Sequence, residues 1–318
     1  MNHHTGIIFP GQGSQYIGMG RAFFDGLEGA GHMFEEAEEI SGLPIRELCF
    51  NGPQDQLVIT SNLQPCLAVV DAVCGMALRR AGLTPVAVAG HSLGEYPALW
   101  MAGVLEFADL VRLVMERGRL MENAGGDTEG GMAAIIGLER DILEAEVRKV
   151  SGDGVLAIAN HNSREQIVVT GEKSRVSQLC KAVKAIGARA VPLRVSGAFH
   201  SELMGQAAGM FAALLDDTVF NPPECPVYCN VSAMPERDPE RIRALMKDQM
   251  CSPVRWFDIV NNMHSDGIKV FFEAGPKKVL SGLVKKSLVN PDAALIFQAD
   301  DPDGIAACMD EIKKAGEL

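Results

Sequence analysis

The sequence predicts an α/β fold: a large domain whose mostly parallel sheet is covered by helices, with a small βαββαβ domain inserted into it. Three observations predict this. Short apolar runs alternate with long helical stretches, the order that builds a parallel sheet buried on both faces. A serine turn, GHSLG, joins one apolar run to the helix after it. The middle of the chain reads strand, helix, strand, strand, helix, strand, a different and recognisable unit.

The elements follow in order. Gly6–Phe9 is a short apolar strand. Asn62–Arg80 carries apolar residues at three and four spacing and is expected to be a long helix. Val86–Gly90 is a strand bounded by Pro85 and the serine turn, and Leu105–Met121 is a second long helix. GGDTEG, at 125–130, is expected to be a flexible break. Then come a strand at Met132–Leu138, a helix from Arg140 to about Val150, strands at Val155–Asn160 and Gln166–Thr170, a helix at Glu172–Ile186 and a strand at Arg189–Val195. That order is the ferredoxin-like pattern. The chain therefore divides into a large domain, 1–126 and 198–318, and an inserted small domain, 127–197. The large domain resumes with a helix opening at His200, a strand near Pro226–Cys229, a helix near Pro239–Met246, a strand at Lys269–Glu273 and a helix from Lys277.

Composition narrows the function. With 318 residues, 47% hydrophobic and 22% charged, the chain can bury a full core without disulfides or structural metal. Disorder, coiled coil and collagen are excluded. The 29 basic and 41 acidic residues give a net charge of −12, a field that argues against a nucleic-acid or anionic-membrane binder. No stretch reaches the ~20 apolar residues of a membrane span. The opening MNHHTGIIFPGQG has no basic region before its short apolar run, so no signal peptide is expected. Eight cysteines without a CxxC, several in apolar runs, read as reduced thiols in a cytoplasmic protein. Cys225 and Cys229 lack partners for a zinc site, and His3 and His4 read as a loose terminus. No metal site is expected.

The strongest chemical signal is Gly90-His91-Ser92-Leu93-Gly94, between a strand and a helix. In that context G-x-S-x-G is a nucleophile elbow, a sharp turn that projects the Ser92 hydroxyl. The following helix aims its N–H groups where negative charge develops. A serine needs a base. His200, in SGAFHS, stands on an expected turn, with His91, His161 and His264 as further candidates. GQGSQ, starting at Gly11, lacks the third glycine of a dinucleotide fingerprint, because Tyr16 stands there. It is better read as a loop at the carboxyl end of a strand, where such sheets place ligands. Arg117 lies beside Gly118 in an apolar helix and reads either as a solvated charge or as a clamp for a carboxylate.

Together these pieces resemble the malonyl-CoA:acyl-carrier-protein transacylases, the stand-alone acyltransferase family of fatty acid and polyketide synthesis. The resemblance runs from Phe9 to about Ser287 and rests on GQGSQ, GHSLGEY, the arginine on the next helix and GAFHS. Gln64–Pro65, GMAAIIGL (131–138), NHNS (160–163), QIVVTG (166–171), SPVRW (252–256) and EAGPKKVLSGL (273–283) match as well. It implies an α/β-hydrolase-like large domain and transfer of malonyl from malonyl-CoA to the phosphopantetheine thiol of an acyl carrier protein in fatty acid biosynthesis. Ser92 would carry the acyl group and His200 would be the base. A Gln249 backbone carbonyl would orient the histidine. The N–H groups of Gln12 and Leu93 would form the oxyanion hole. Arg117 would hold the malonyl carboxylate, Gln64 would line the site, and Phe199 would narrow the space beside the acyl α-carbon. No permanently bound cofactor is implied; the coenzyme A thioester is a substrate.

Two departures stand out: Pro97 inside the expected nucleophile helix, where it would bend it, and Ala198 in place of a proline. The partner would be an acidic carrier, so local basic segments are candidate docking sites: Lys181–Arg194, with four basic residues, or Lys269–Asn290, with five lysines. Alternatives are a stand-alone acyltransferase serving a polyketide synthase, or a serine thioesterase or esterase. The latter needs a carboxylate behind the histidine, for which Asp109, Asp127 and Asp153 are available.

Overall fold

The computed structural model describes residues 4–127 and 129–315, except the side chains of 126–127 and 313–315. Among the described residues lie ten strands: β1 (Thr5–Phe9), β2 (Ala87–Gly90), β3 (Gly130–Ile136), β4 (Leu156–Ser163), β5 (Gln166–Glu172), β6 (Arg189–Pro192), β7 (Val227–Tyr228), β8 (Pro235–Glu236), β9 (Val270–Ala274) and β10 (Leu295–Ala299). They form two sheets. The larger runs β10-β9-β1-β2-β7-β8, parallel except for β8 at one edge. The smaller runs β4-β5-β3-β6 and is antiparallel throughout.

The larger sheet is covered on both faces, and strand alternation assigns its side chains. Ile7, Phe9, Val88 and Phe272 enter one core, with Phe23, Leu67 and Tyr96. Ile8, Ala89 and Phe271 enter the other, with Trp256, Ile259 and Met263. The helix Thr60–Arg80 packs along the helix Phe107–Asp127. By length and composition it is apolar enough to cross a membrane, as the core helix of a globular protein can be, and most of its side chains are buried in the core.

The smaller sheet works differently on its two faces. Ala133, Ile135, Ile167 and Val169 pack under the helices Arg140–Ser151 and Lys173–Ala185. Met132, Ala134 and Val168 face the large domain and roof a cleft between the sheets.

Some expectations need correcting. No break occurs at 125: the helix continues to Asp127, because Gly125 packs on the Ser196 backbone, where a Cβ would come within 2.5 Å of its carbonyl oxygen. Thr128, in that segment, lies outside the described residues, as does His3. The strand from Arg189 stops at Pro192. His200 opens no helix; it sits on a turn at φ 60°, and the α-helix begins at Gly205. Pro97 is not in the interior of its helix. It is the third residue of Glu95–Met101, where an N–H has no intrahelical acceptor to lose.

Candidate active site

The site is built on the ends of β1 and β2. The backbone turns sharply after Gly90, and Ser92 adopts φ 51°, a left-handed conformation that costs energy for a residue with a Cβ. Two glycines make the turn possible. A Cβ on Gly90 would lie 1.9 Å from the Gly94 backbone, and one on Gly94 would lie 2.1 Å from the Phe9 carbonyl oxygen. Asn230, after β7, clamps the turn: it accepts from the Ser92 N–H at 2.7 Å and donates to the Gly90 carbonyl at 2.6 Å.

Ser92 Oγ lies 2.8 Å from His200 Nε2. His200 Nδ1 lies 3.0 Å from both the Gln249 and the Ser252 carbonyl oxygens. Two carbonyls can only accept, so Nδ1 carries the proton and Nε2 is free to accept from the serine. Among the described residues, no carboxylate is bonded to His200 Nδ1. Asp109 pairs with Arg112, Asp153 is exposed, and the Asp127 side chain lies outside the described residues. Burial, and then the nearby Arg117 cation, push the His200 pKa down to about 3.

Arg117 has no exposed surface. Its Nη1 donates to Gln64 Oε1 at 2.9 Å, and its Nη2 donates to Gln249 Oε1 at 3.0 Å and to Ser92 Oγ at 3.2 Å. The guanidinium also lies 5.5 Å from the Tyr96 ring centroid, within cation–π range. Arg119, one turn face away, pairs with Glu116 in solvent.

The cleft above Ser92 measures about 240 Å³, with Gln12, His200 and Phe199 on its walls and Met121, Met132 and Val168 among its apolar lining. Gln12 thus borders the space in front of Ser92. Leu93, the next residue after Ser92, is fully buried in the turn. Of the eight site residues named from sequence, Ser92, His200, Arg117, Gln64 and Gln249 are joined by direct hydrogen bonds, and Gln12 and Phe199 line the cleft.

Of the other candidate histidines, His91 lines the same cleft, whereas His161 and His264 are not among its lining residues. His91 bonds Asn162 Oδ1 at 2.8 Å and packs on Trp256. His161 stacks on Phe257, and His264 is in the last turn of Trp256–Ser265. Sequence reading did not single out Asn230, Ser252, Asn162 or Glu95. Glu95 was within view in GHSLGE, Asn162 in NHNS and Ser252 in SPVRW; Asn230, Asn162 and Ser252 act through contacts over 52 residues or more of chain, which those segments alone do not reveal. Among the described residues no three His, Cys, Asp or Glu gather as a metal site would require.

Comparison with known proteins gives a consistent result. Residues 7–304 match the acyl transferase domain family. The chain is 39% identical to the malonyl CoA-acyl carrier protein transacylase of Bacillus subtilis strain 168, over 98% of both chains. It superposes on the crystal structure of the transacylase of that name from Clostridium perfringens with a TM-score of 0.93, at 32% identity over 98% of both chains. A malonyl-transacylase solved in complex with its type II PKS acyl-carrier protein superposes equally well, with a TM-score of 0.93 at 34% identity, over 97% of this chain and 99% of that one. The match is continuous across both sheets and the cleft between them, and the chain belongs to the acyl transferase family that includes the malonyl CoA-acyl carrier protein transacylases.

Proposed function

We propose that this chain is an [acyl-carrier-protein] S-malonyltransferase that moves malonyl from malonyl-CoA to the phosphopantetheine thiol of an acyl carrier protein, through a malonyl-Ser92 intermediate, in fatty acid biosynthesis. The observation that carries this reading is the placing of one hydroxyl, Ser92 Oγ, between a neutral histidine at 2.8 Å and a buried guanidinium at 3.2 Å. A serine beside a base makes an acyl-enzyme. A buried arginine beside it selects an acyl group that ends in a carboxylate.

The steps follow from the geometry. Ser92 gives its proton to His200 Nε2 as Oγ attacks the thioester carbonyl. The N–H groups of Gln12 and Leu93 receive the oxyanion. The intermediate collapses, the C–S bond breaks, and His200 returns the proton to the leaving thiolate of coenzyme A. The carrier's thiol then enters and the steps reverse, giving ping-pong kinetics. The Gln249 and Ser252 carbonyls stabilise the imidazolium that forms transiently. A guanidinium has five N–H groups, and three hydrogen bonds to protein are made here. Once Oγ is esterified, the N–H that faced it turns to the malonyl carboxylate. Phe199 limits bulk beside the acyl α-carbon.

The remaining readings belong to the same proposal. The βαββαβ order and the β4-β5-β3-β6 arrangement support a ferredoxin-like domain inserted at 127–197 into an α/β-hydrolase-like large domain. Lys277, Lys278, Lys285 and Lys286 are exposed beside cleft residues Val279, Leu280 and Leu283 and are favoured for carrier docking; the exposed bases of Lys181–Arg194 are the second candidate. No permanently bound cofactor takes part. Eight unpaired thiols suit a cytoplasmic location. The relative solved with a type II PKS carrier supports service to a polyketide synthase as the second reading. Transfer assays with purified fatty-acid and polyketide holo-carriers test both: malonyl on the fatty-acid carrier supports the first, and malonyl on the other carrier alone overturns it.

A further inference from the structure

Glu95 opens the helix after the serine turn and is 1% exposed. Both its carboxylate oxygens accept from N–H donors: the Asn230 backbone at 3.0 Å and Gln249 Nε2 at 2.6 Å. A carboxylate can satisfy both. An amide or a protonated acid satisfies one and turns its own N–H or O–H against the other. Gln249 Nε2 also donates to the Ser92 carbonyl at 3.0 Å, while its Oε1 accepts from Arg117. Glu95 offers only acceptors and Arg117 only donors, so the two together fix which way this amide points.

We propose that Glu95, as a carboxylate, is the positioning residue that locks the Gln249 amide and so presents Arg117 to the carboxylate of the acyl group. The proposal deepens the malonyl-transfer reading and rests on it. Every charged or titratable group facing Glu95 is accounted for. Arg117 favours the carboxylate. Tyr96 and Cys229 are themselves pushed up by burial and stay neutral. Burial raises the Glu95 pKa to about 7, opposed by the bonds from Gln249, Asn230 and Cys229 and by Arg117. His200, held down to about 3, does not titrate near neutrality. Below pH 7, protonation of Glu95 therefore removes one of the acceptors that hold the Gln249 amide, and the amide's hold on the guanidinium loosens.

The test compares kcat/KM for malonyl-CoA and acetyl-CoA on both sides of pH 7, in wild type and Glu95→Gln. A fluorophosphonate reports on Ser92, and free malonate is added as a competitor of that labelling. In wild type the malonyl-over-acetyl preference should fall toward tenfold for each pH unit below about 7, and malonate protection of Ser92 should fade with it. In Glu95→Gln the preference should be at least about tenfold lower and flat with pH, while Ser92 still labels. A wild-type preference that is flat with pH, or a Glu95→Gln enzyme that loses both substrates equally, overturns the role. If the variant does not fold, the wild-type pH series decides. If wild type transfers no malonyl at all, the transferase reading fails, and malonate protection against pH still decides the role of Glu95.

Discussion

Arg117 Nη2 and His200 Nε2 converge on one atom, Ser92 Oγ, from 3.2 Å and 2.8 Å. The guanidinium can only donate, so the serine proton must point at the histidine. The contact proposed to select the acyl group thus also sets the hydroxyl for deprotonation. It keeps a buried cation beside the base as well, one reason that His200 stays neutral.

Arg117→Ala should cut malonyl transfer while acetyl transfer holds or rises. Removing one partner of a buried charged hydrogen bond costs roughly 2–5 kcal/mol, about 30- to several-thousand-fold at ~1.4 kcal/mol per decade. Arg117→Lys should rescue only part, because an ammonium lacks the planar fork. The measurement is kcat/KM for both thioesters; an equal fall in both would make Arg117 a general structural residue.

His200→Ala should slow acylation of Ser92 by at least ~10²-fold, the scale of a positioned general base. His264→Ala should change little, since that ring lies on a distant helix end. Rapid-quench acylation rates distinguish them, and equal rates would remove His200 from the base role.

His200 also predicts acid sensitivity. Its pKa falls from 6.5 to about 3 on folding, so the unfolded chain binds its proton first. The stability it contributes is present above pH 6.5 and is lost as pH falls toward 3, at up to ~1.4 kcal/mol per pH unit. The buried carboxyls Asp71, Glu95 and Glu273, raised by burial, act in the opposite direction. The difference between wild type and His200→Gln isolates the histidine. Melting temperatures should converge as pH falls from about 6.5 to 4.5. A constant gap would contradict the buried neutral imidazole.

Reversing Lys285 and Lys286 to glutamate should raise the carrier KM and flatten its salt dependence, with self-acylation from malonyl-CoA intact, because both side chains are exposed and touch no site residue. Unchanged carrier kinetics would move docking to Lys181–Arg194.

Much of this was legible along the chain. The strands carrying the site, β1 and β2, are apolar runs that end in glycine-bearing turns, and the helices Thr60–Arg80 and Phe107–Asp127 show clear apolar spacing. The short helices between Arg21 and Leu57, the helix Trp256–Ser265 and the edge strands β8 and β10 were missed. The helices Arg21–Gly26, Ile45–Phe50 and Gln54–Leu57 span too few turns to show a period, and β8 has two residues; Ala30–Ser41, at 12 residues, is long enough to show one and was passed over. The site divides the same way. Ser92 announces itself by its turn, and His200, Gln64 and Arg117 by resemblance. Asn230 and Ser252 act through long-range hydrogen bonds, and Glu95 acts through the amide of Gln249, 154 residues away. Only folding creates that relay.

Transfer by this site requires a malonyl ester on Ser92 that waits for a thiol. Wild type and Ser92→Ala are incubated with malonyl-CoA, quenched, weighed intact and mapped by peptide. One malonyl group is expected on wild type, located on Ser92, absent from Ser92→Ala and discharged only when a holo-carrier is added. Malonyl on another residue, or free malonate released without a carrier, would contradict it.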